Sequence, residues 1–253
     1  GKALSEKPQT APARLRELNF TPFQAAFAGL NKERLAKIGT LVADATIPSV
    51  QKALAGGEVT SEELTLYFLD RIQRHDGELR SYTELNPLCL EEARAADRER
   101  AEGKLRGPLH GIPLNLKDNI GTKAPMHTTA GAEILLNHSP EHDAAIVTQL
   151  RESGAVMMGI ASLSELAGSL TTEPAGYNAV SGIGVNPYRN GLPVSGSSSG
   201  SAISASAFLT MASVGTETSG SLISPSASNG VVGAKPSHEL VSGAAIIPLI
   251  RFQ

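Results

Sequence analysis

The chain has no tryptophan, one cysteine and only 4% aromatic residues across 253 positions. Each scarcity excludes something. The lone Cys89 cannot close an intrachain disulfide, so no disulfide framework staples this fold. With so few aromatics, the core must be assembled from Leu, Ile, Val and Ala. Neither sign of charge dominates: 22 Lys and Arg against 25 Asp and Glu leave −3, no electrostatic reason to bind nucleic acid or an acidic membrane. No apolar run reaches the ~18 residues of a spanning helix. The chain opens Gly1-Lys2 without methionine. That start reads as removal of a tag or a signal peptide, and it leaves cytoplasm and export both open.

What is present is a 41% hydrophobic chain with 25 glycines and 15 prolines, enough to bury one large core or two small ones in a loop-rich α/β protein. Phe20, Phe23, Phe27, Leu30, Leu35 and Ile38 fall at helical spacing, so residues 1–47 read as a helical extension packed on the body. Partner docking is the second reading of that segment. Val50 and Leu54 before Gly56-Gly57 suggest a helix ended by glycine. Thr60 and Glu63 form a capping box opening another, with Leu64, Tyr67, Phe68 and Ile72 on one face. Residues 89–102 read as a solvated helix with Cys89 buried in its first turn. Short apolar segments at Ile112–Leu116 and Ala155–Ile160 bracket a helix at Asp143–Ser153, a strand–helix–strand order that implies a helix-covered sheet. After a loop over 172–200, Ala202–Met211 reads as a buried helix and Ala212–Gly215 as a strand.

Two small-residue loops and one lysine carry the chemistry. Ser195-Gly196-Ser197-Ser198-Ser199-Gly200-Ser201 runs straight into Ala202–Leu209, too apolar to be a solvated linker. A loop opening a buried helix offers free amides beside hydroxyls, suited to an anion or oxyanion. Gly196–Gly200 also fits G-x-S-x-G with Ser198 as nucleophile, but that elbow needs a later histidine and only His238 follows. Ser49-Val50-Gln51-Lys52 fits S-x-x-K with no companion motif. His138 and His142 flank Pro140, which argues against a helical metal pair. Gly215-Thr216-Glu217-Thr218-Ser219-Gly220-Ser221 offers consecutive amides beside a hydroxyl, or an ordinary turn. Lys117 ends the apolar stretch Ile112–Leu116. Two readings stand for it: a surface partner of Asp118, or a buried base whose pKa falls from about 10.4 towards 7–8.

These residues resemble the amidase signature hydrolases, and bacterial peptide amidases in particular. The likeness runs from about Val50 to the C-terminus. It is carried by Leu109–Pro113 through Lys117-Asp118-Asn119, by Asn186-Pro187-Tyr188-Arg189, by Gly196–Ala202, by Gly215–Ser221 and by Asn229–Ser237. The resemblance implies an α/β amidase signature fold, a mixed central sheet covered by helices on both faces, with only its N-terminal half in this chain. Residues 48–253 would be that portion. It implies Lys117 as base, Ser197 as bridging serine after a cis peptide bond, Ser221 as nucleophile and Ser198 as support. Amides of Thr218, Ser219, Gly220 and Ser221 would hold the oxyanion. It implies no cofactor and no metal, and a linear amide as substrate, such as a peptide C-terminal amide.

The chain departs from that pattern in places. Ser219 stands where glycine or aspartate is common; if the position needs positive φ, serine costs about 1–3 kcal/mol. Ile160 stands where many relatives carry lysine, and Ile223 where arginine is common, which makes the pocket less cationic. The chain has roughly half the usual length, which reads as a second polypeptide completing the pocket, a fragment, or an unusual chain, with a cleaved or separate other half the favoured expectation. Two alternatives stay open: one subunit of a glutamine-dependent amidotransferase, and a catalytically silent fragment or binding subunit.

Overall fold

The first helices start where polar side chains can take up free amides. In the computed structural model, which describes residues 14–168 and 173–249, α1 (Gln24–Ala28) leads into α2 (Lys32–Val42), capped by Asn31 accepting from the amides of Glu33 and Arg34. The box of Thr46 and Ser49 opens α3 (Ile47–Ala55). Ser49 is therefore a helix cap rather than half of a catalytic S-x-x-K pair. The expected Thr60–Glu63 box opens α4 (Ser61–Leu79), with Glu63 N 3.1 Å from Thr60 Oγ1 and Thr60 N 3.0 Å from Glu63 Oε2. Glu63 also accepts from Arg34 Nε at 2.7 Å and so fastens α2 to α4.

Phe23, Ile38 and Val42 are buried in one core with Leu64, Phe68 and Ile72 of α4. The apolar stripe of the first 47 residues thus faces the body. Residues 1–13 of that extension and residue 172 of the later loop lie outside the described residues.

Beyond α4 come β1 (Tyr82–Leu85), α5 (Cys89–Ala101), β2 (Pro113–Lys117), α6 (Ala145–Glu152) and β3 (Val156–Ala161). A two-residue hairpin, β4 (Tyr177–Asn178) and β5 (Gly182–Ile183), precedes α7 (Ser199–Ser206), β6 (Ala212–Val214) and α8 (Ile223–Ser228). The main sheet has the order β1-β3-β2-β6. It is mixed, with β2 parallel to β3 and β6 while β1 is antiparallel to β3. Strand side chains alternate between faces. On β3, Val156 and Met158 join the core under α4 and α5, while Met157 and, past a register shift between Met157 and Gly159, Ile160 join Val147 of α6 in a second cluster. Helices therefore cover both faces.

Two expectations need correction. The helix read over 202–211 forms over Ser199–Ser206. It ends because Phe208, at φ +56°, turns back to set its ring 5.4 Å from Phe68 and 6.5 Å from Tyr67. Strand β1 is absent from the sequence reading, since four residues give too short an alternation to stand out. Cys89 begins α5, fully buried, and burial pushes its thiol pKa up. No described helix is long and apolar enough to cross a membrane.

Candidate active site

Lys117 is the last residue of β2, a strand buried at every position, and its own side chain is fully buried. Its nitrogen has three partners: Ser197 Oγ at 2.8 Å, Thr216 Oγ1 at 2.9 Å and the Thr216 carbonyl at 3.2 Å. Desolvation brings its pKa down from 10.5 to about 7, partly opposed by the charge of Glu217. The surface pairing of Lys117 with Asp118 does not occur. Lys117 ends β2 and Asp118 opens the turn after it, and both are buried with other partners. Asp118 accepts from the amide of Thr129 at 2.6 Å and from its hydroxyl. Burial, only partly offset by those Thr129 bonds, raises its carboxyl to about 7.

The serine-rich loop delivers Ser197 at the mouth of α7. The Gly196–Ser197 peptide bond is cis, as the resemblance implied. Gly200, in the first turn of α7, lies so close to neighbouring backbone that a Cβ there would overlap the Ser81 carbonyl and the Ser162 amide. That tight seat fixes the start of α7 against the sheet. The Ser198 hydroxyl, the alternative nucleophile of the G-x-S-x-G reading, is engaged rather than free. It is buried, donates to the Thr216 carbonyl at 3.0 Å and accepts from the Thr216 amide at 3.2 Å, while His238 is exposed near Glu239.

Ser221 reaches the same cluster through the backbone, its carbonyl accepting from the Ser198 amide at 2.9 Å. Its hydroxyl makes no hydrogen bond to Ser197 among the described residues. In the turn before it, the amides of Thr218, Ser219 and Ser221 find no acceptor among the described residues. The left-handed position falls on Gly220, at φ +77°, and not on Ser219. The strain considered for Ser219 therefore does not arise, because glycine occupies the one site that needs it.

Three residues that sequence reasoning left without a role complete the site. Glu217 folds its carboxylate under the turn, with Oε2 accepting from the amides of Leu222 at 2.8 Å and Ile223 at 2.9 Å. Burial acts to raise its pKa, but the amides of Ile223, Leu222 and Gly220, with Lys235, outweigh it and hold the carboxyl below its ordinary value. Thr216 donates its hydroxyl to Asn119 Oδ1 at 3.2 Å, and Asn119 Nδ2 donates to the Ile247 carbonyl at 3.2 Å. Their only signal in the sequence was membership of the Gly215–Ser221 stretch, for Thr216 and Glu217, and closeness to Lys117, for Asn119. Among the described residues no group of His, Cys, Asp or Glu could hold a metal ion.

The family model described as Amidase matches residues 63–251. A putative amidase of Schizosaccharomyces pombe is 44% identical over 206 residues, which cover 81% of this chain and 35% of that protein. The native peptide amidase of Stenotrophomonas maltophilia, a solved structure, superposes with a TM-score of 0.79 at 47% identity, covering 81% of this chain and 43% of that one. One subunit of the glutamyl-tRNA(Gln) amidotransferase of Chloroflexus aurantiacus is 38% identical over 203 residues, covering 80% of this chain and 41% of that protein. The chain thus spans less than half the length of these relatives, and over the part it spans, sequence and fold agree: it belongs to the amidase family.

Proposed function

We propose that this chain hydrolyses linear amides through an acyl-enzyme, with Ser221 as nucleophile, Ser197 as proton bridge and Lys117 as base. One observation carries the reading: a fully buried lysine amine bonded to Ser197. The hydrogen-bond inventory gives the proton a direction. A neutral amine has two N–H donors and one lone pair. The Thr216 carbonyl can only accept, and the Thr216 hydroxyl, already donating to Asn119, also accepts from Lys117. Both N–H bonds are then taken. The lone pair is left for Ser197, whose hydroxyl donates to it and draws a proton in turn from Ser221.

Ser221 Oγ then attacks the amide carbonyl carbon. The oxyanion is received by the unpartnered amides of Thr218, Ser219 and Ser221, with Gly220 beside them, each donor worth about 2.7–4 kcal/mol of barrier. The proton returns through Ser197 to the leaving nitrogen, and water releases the acyl group.

Residues 1–47 act as an extension in this reading, and 48–253 as the N-terminal part of an amidase domain. The remaining pocket walls come from further polypeptide. Two features favour that. The edge of β6 away from β2 pairs with no strand among the described residues. Beside it lies a cavity of about 680 Å³, walled in part by Ile120, Ile146, Val214, Leu222 and Ile246 and reached by neither Ser197 nor Ser221.

The Glu217 charge supports the ammonium form of Lys117. Glu217→Gln should therefore lower the Lys117 pKa further below about 7. Neutral amine then persists to lower pH, and the acidic limb of kcat/KM moves down, as an initial-rate pH series will read.

A C-terminally amidated peptide is the substrate class that separates the readings. Ammonia release from the amidated peptide, with free glutamine untouched, supports the peptide amidase reading. Turnover of glutamine alone favours the amidotransferase reading, the one motivated by the 38% identical relative. Failure of a fluorophosphonate to label Ser221 favours a silent binding subunit.

A further inference from the structure

Ser195 adopts φ +58°, a left-handed backbone that serine enters at a cost and glycine enters freely. Its hydroxyl meets that of Ser224 at 2.7 Å. Ser195 lies two residues before Ser197, and Ser224 three residues after Ser221, in the first turn of α8. Ser224 is itself tied to the nucleophile turn, its amide donating to the Gly220 carbonyl at 2.9 Å. On the other side of Ser197, the Ser198 amide reaches the Ser221 carbonyl at 2.9 Å. The Ser195–Ser224 and Ser198–Ser221 links thus bracket the two hydroxyls, in addition to the bonds between Ser198 Oγ and the Thr216 backbone and between Asn229 Nδ2 and the Val194 carbonyl. Among the described residues, the Ser195–Ser224 pair is the one link between residues 194–198 and 217–228 made by side chains alone.

We propose that Ser195 and Ser224 form a clasp that sets the distance between Ser197 and Ser221, making both serines positioning residues for proton transfer. The proposal rests on the reading of Ser221 as nucleophile. It accounts for a serine at a backbone position suited to glycine, because the side chain that glycine lacks makes the link. Ser224 is exposed and Ser195 only half-buried. Losing a bond between such hydroxyls should change global stability little, while a small displacement between reacting groups is costly to rate.

Ser195→Gly keeps the left-handed backbone available and removes the hydroxyl; Ser224→Ala removes the other. Each variant would be compared with the wild type by the second-order rate of fluorophosphonate labelling at Ser221, by kcat and KM on an amide substrate, and by thermal unfolding. The clasp predicts about a tenfold fall in labelling rate and in kcat, with KM and Tm held, for either variant. The double variant should fall no further than either single one, since one bond is lost in each case. Ser224→Thr, which keeps a hydroxyl, should recover most of the rate. The acidic limb near pH 7 should stay in place, because Lys117 is untouched. Unchanged rates, additive losses in the double variant, or a raised KM at constant kcat would each overturn the clasp while leaving Ser221 as nucleophile. A wild-type chain that takes no label at Ser221 removes that assignment and the clasp with it.

Discussion

Ser221→Ala should reduce amide hydrolysis by at least about 10⁴-fold, roughly 5 kcal/mol of transition-state stabilisation. It should also abolish covalent labelling by a fluorophosphonate. The labelling step isolates the nucleophile: a bond forms between Ser221 Oγ and phosphorus, fluoride leaves, and the hydroxyl proton passes to Ser197. An intact-mass measurement reads the adduct, and peptide mapping assigns it. The neighbours make useful contrasts. Ser198 is buried with its hydroxyl engaged by Thr216, so it offers a labelling reagent no free oxygen. Label on Ser198 instead of Ser221 would place the nucleophile in the G-x-S-x-G stretch and discard the present assignment.

Lys117→Met should cost about 10²–10⁴-fold in kcat/KM and, more tellingly, should erase the acidic limb of the pH profile. The sign follows from the protonation state required. The wild-type amine accepts a proton only when neutral, and its folded pKa is lowered to about 7 by burial. Activity is therefore low below that value and rises as pH increases through it. Methionine has a similar length and fills the buried position, so the loss reports the missing base more than a cavity. Initial rates between pH 5 and 9 for both proteins provide the comparison. Ser197→Ala, which breaks the bridge but leaves the amine, should also lose activity.

Much of this site is legible in the sequence because its parts are contiguous. Lys117 ends an apolar run, and a run of that kind buries its last residue when it becomes an interior strand, as β2 does. The serine loop announces itself by running directly into small apolar residues, which form α7. The less legible parts are those that depend on contacts distant in sequence. Thr216 and Asn119 orient the amine only because β2 and the segment after β6 lie side by side. Glu217 looks like a loop carboxylate until the turn folds over it. The end of α7 escapes a sequence reading because Phe208 has a ring position and backbone chosen by Tyr67 and Phe68, far upstream on α4. Tertiary packing overrides local helix propensity there. Strand β1 is invisible for a related reason: its four residues owe their conformation to pairing with β3.

The rate at which a fluorophosphonate labels Ser221 in the wild-type chain, followed as a function of pH, tests the proton route without depending on the substrate's identity. If buried Lys117 draws the proton through Ser197, that rate climbs through a midpoint near 7, the value set by burial of the amine. A midpoint up where an ordinary solvated lysine titrates, or a rate indifferent to pH across that range, would contradict it.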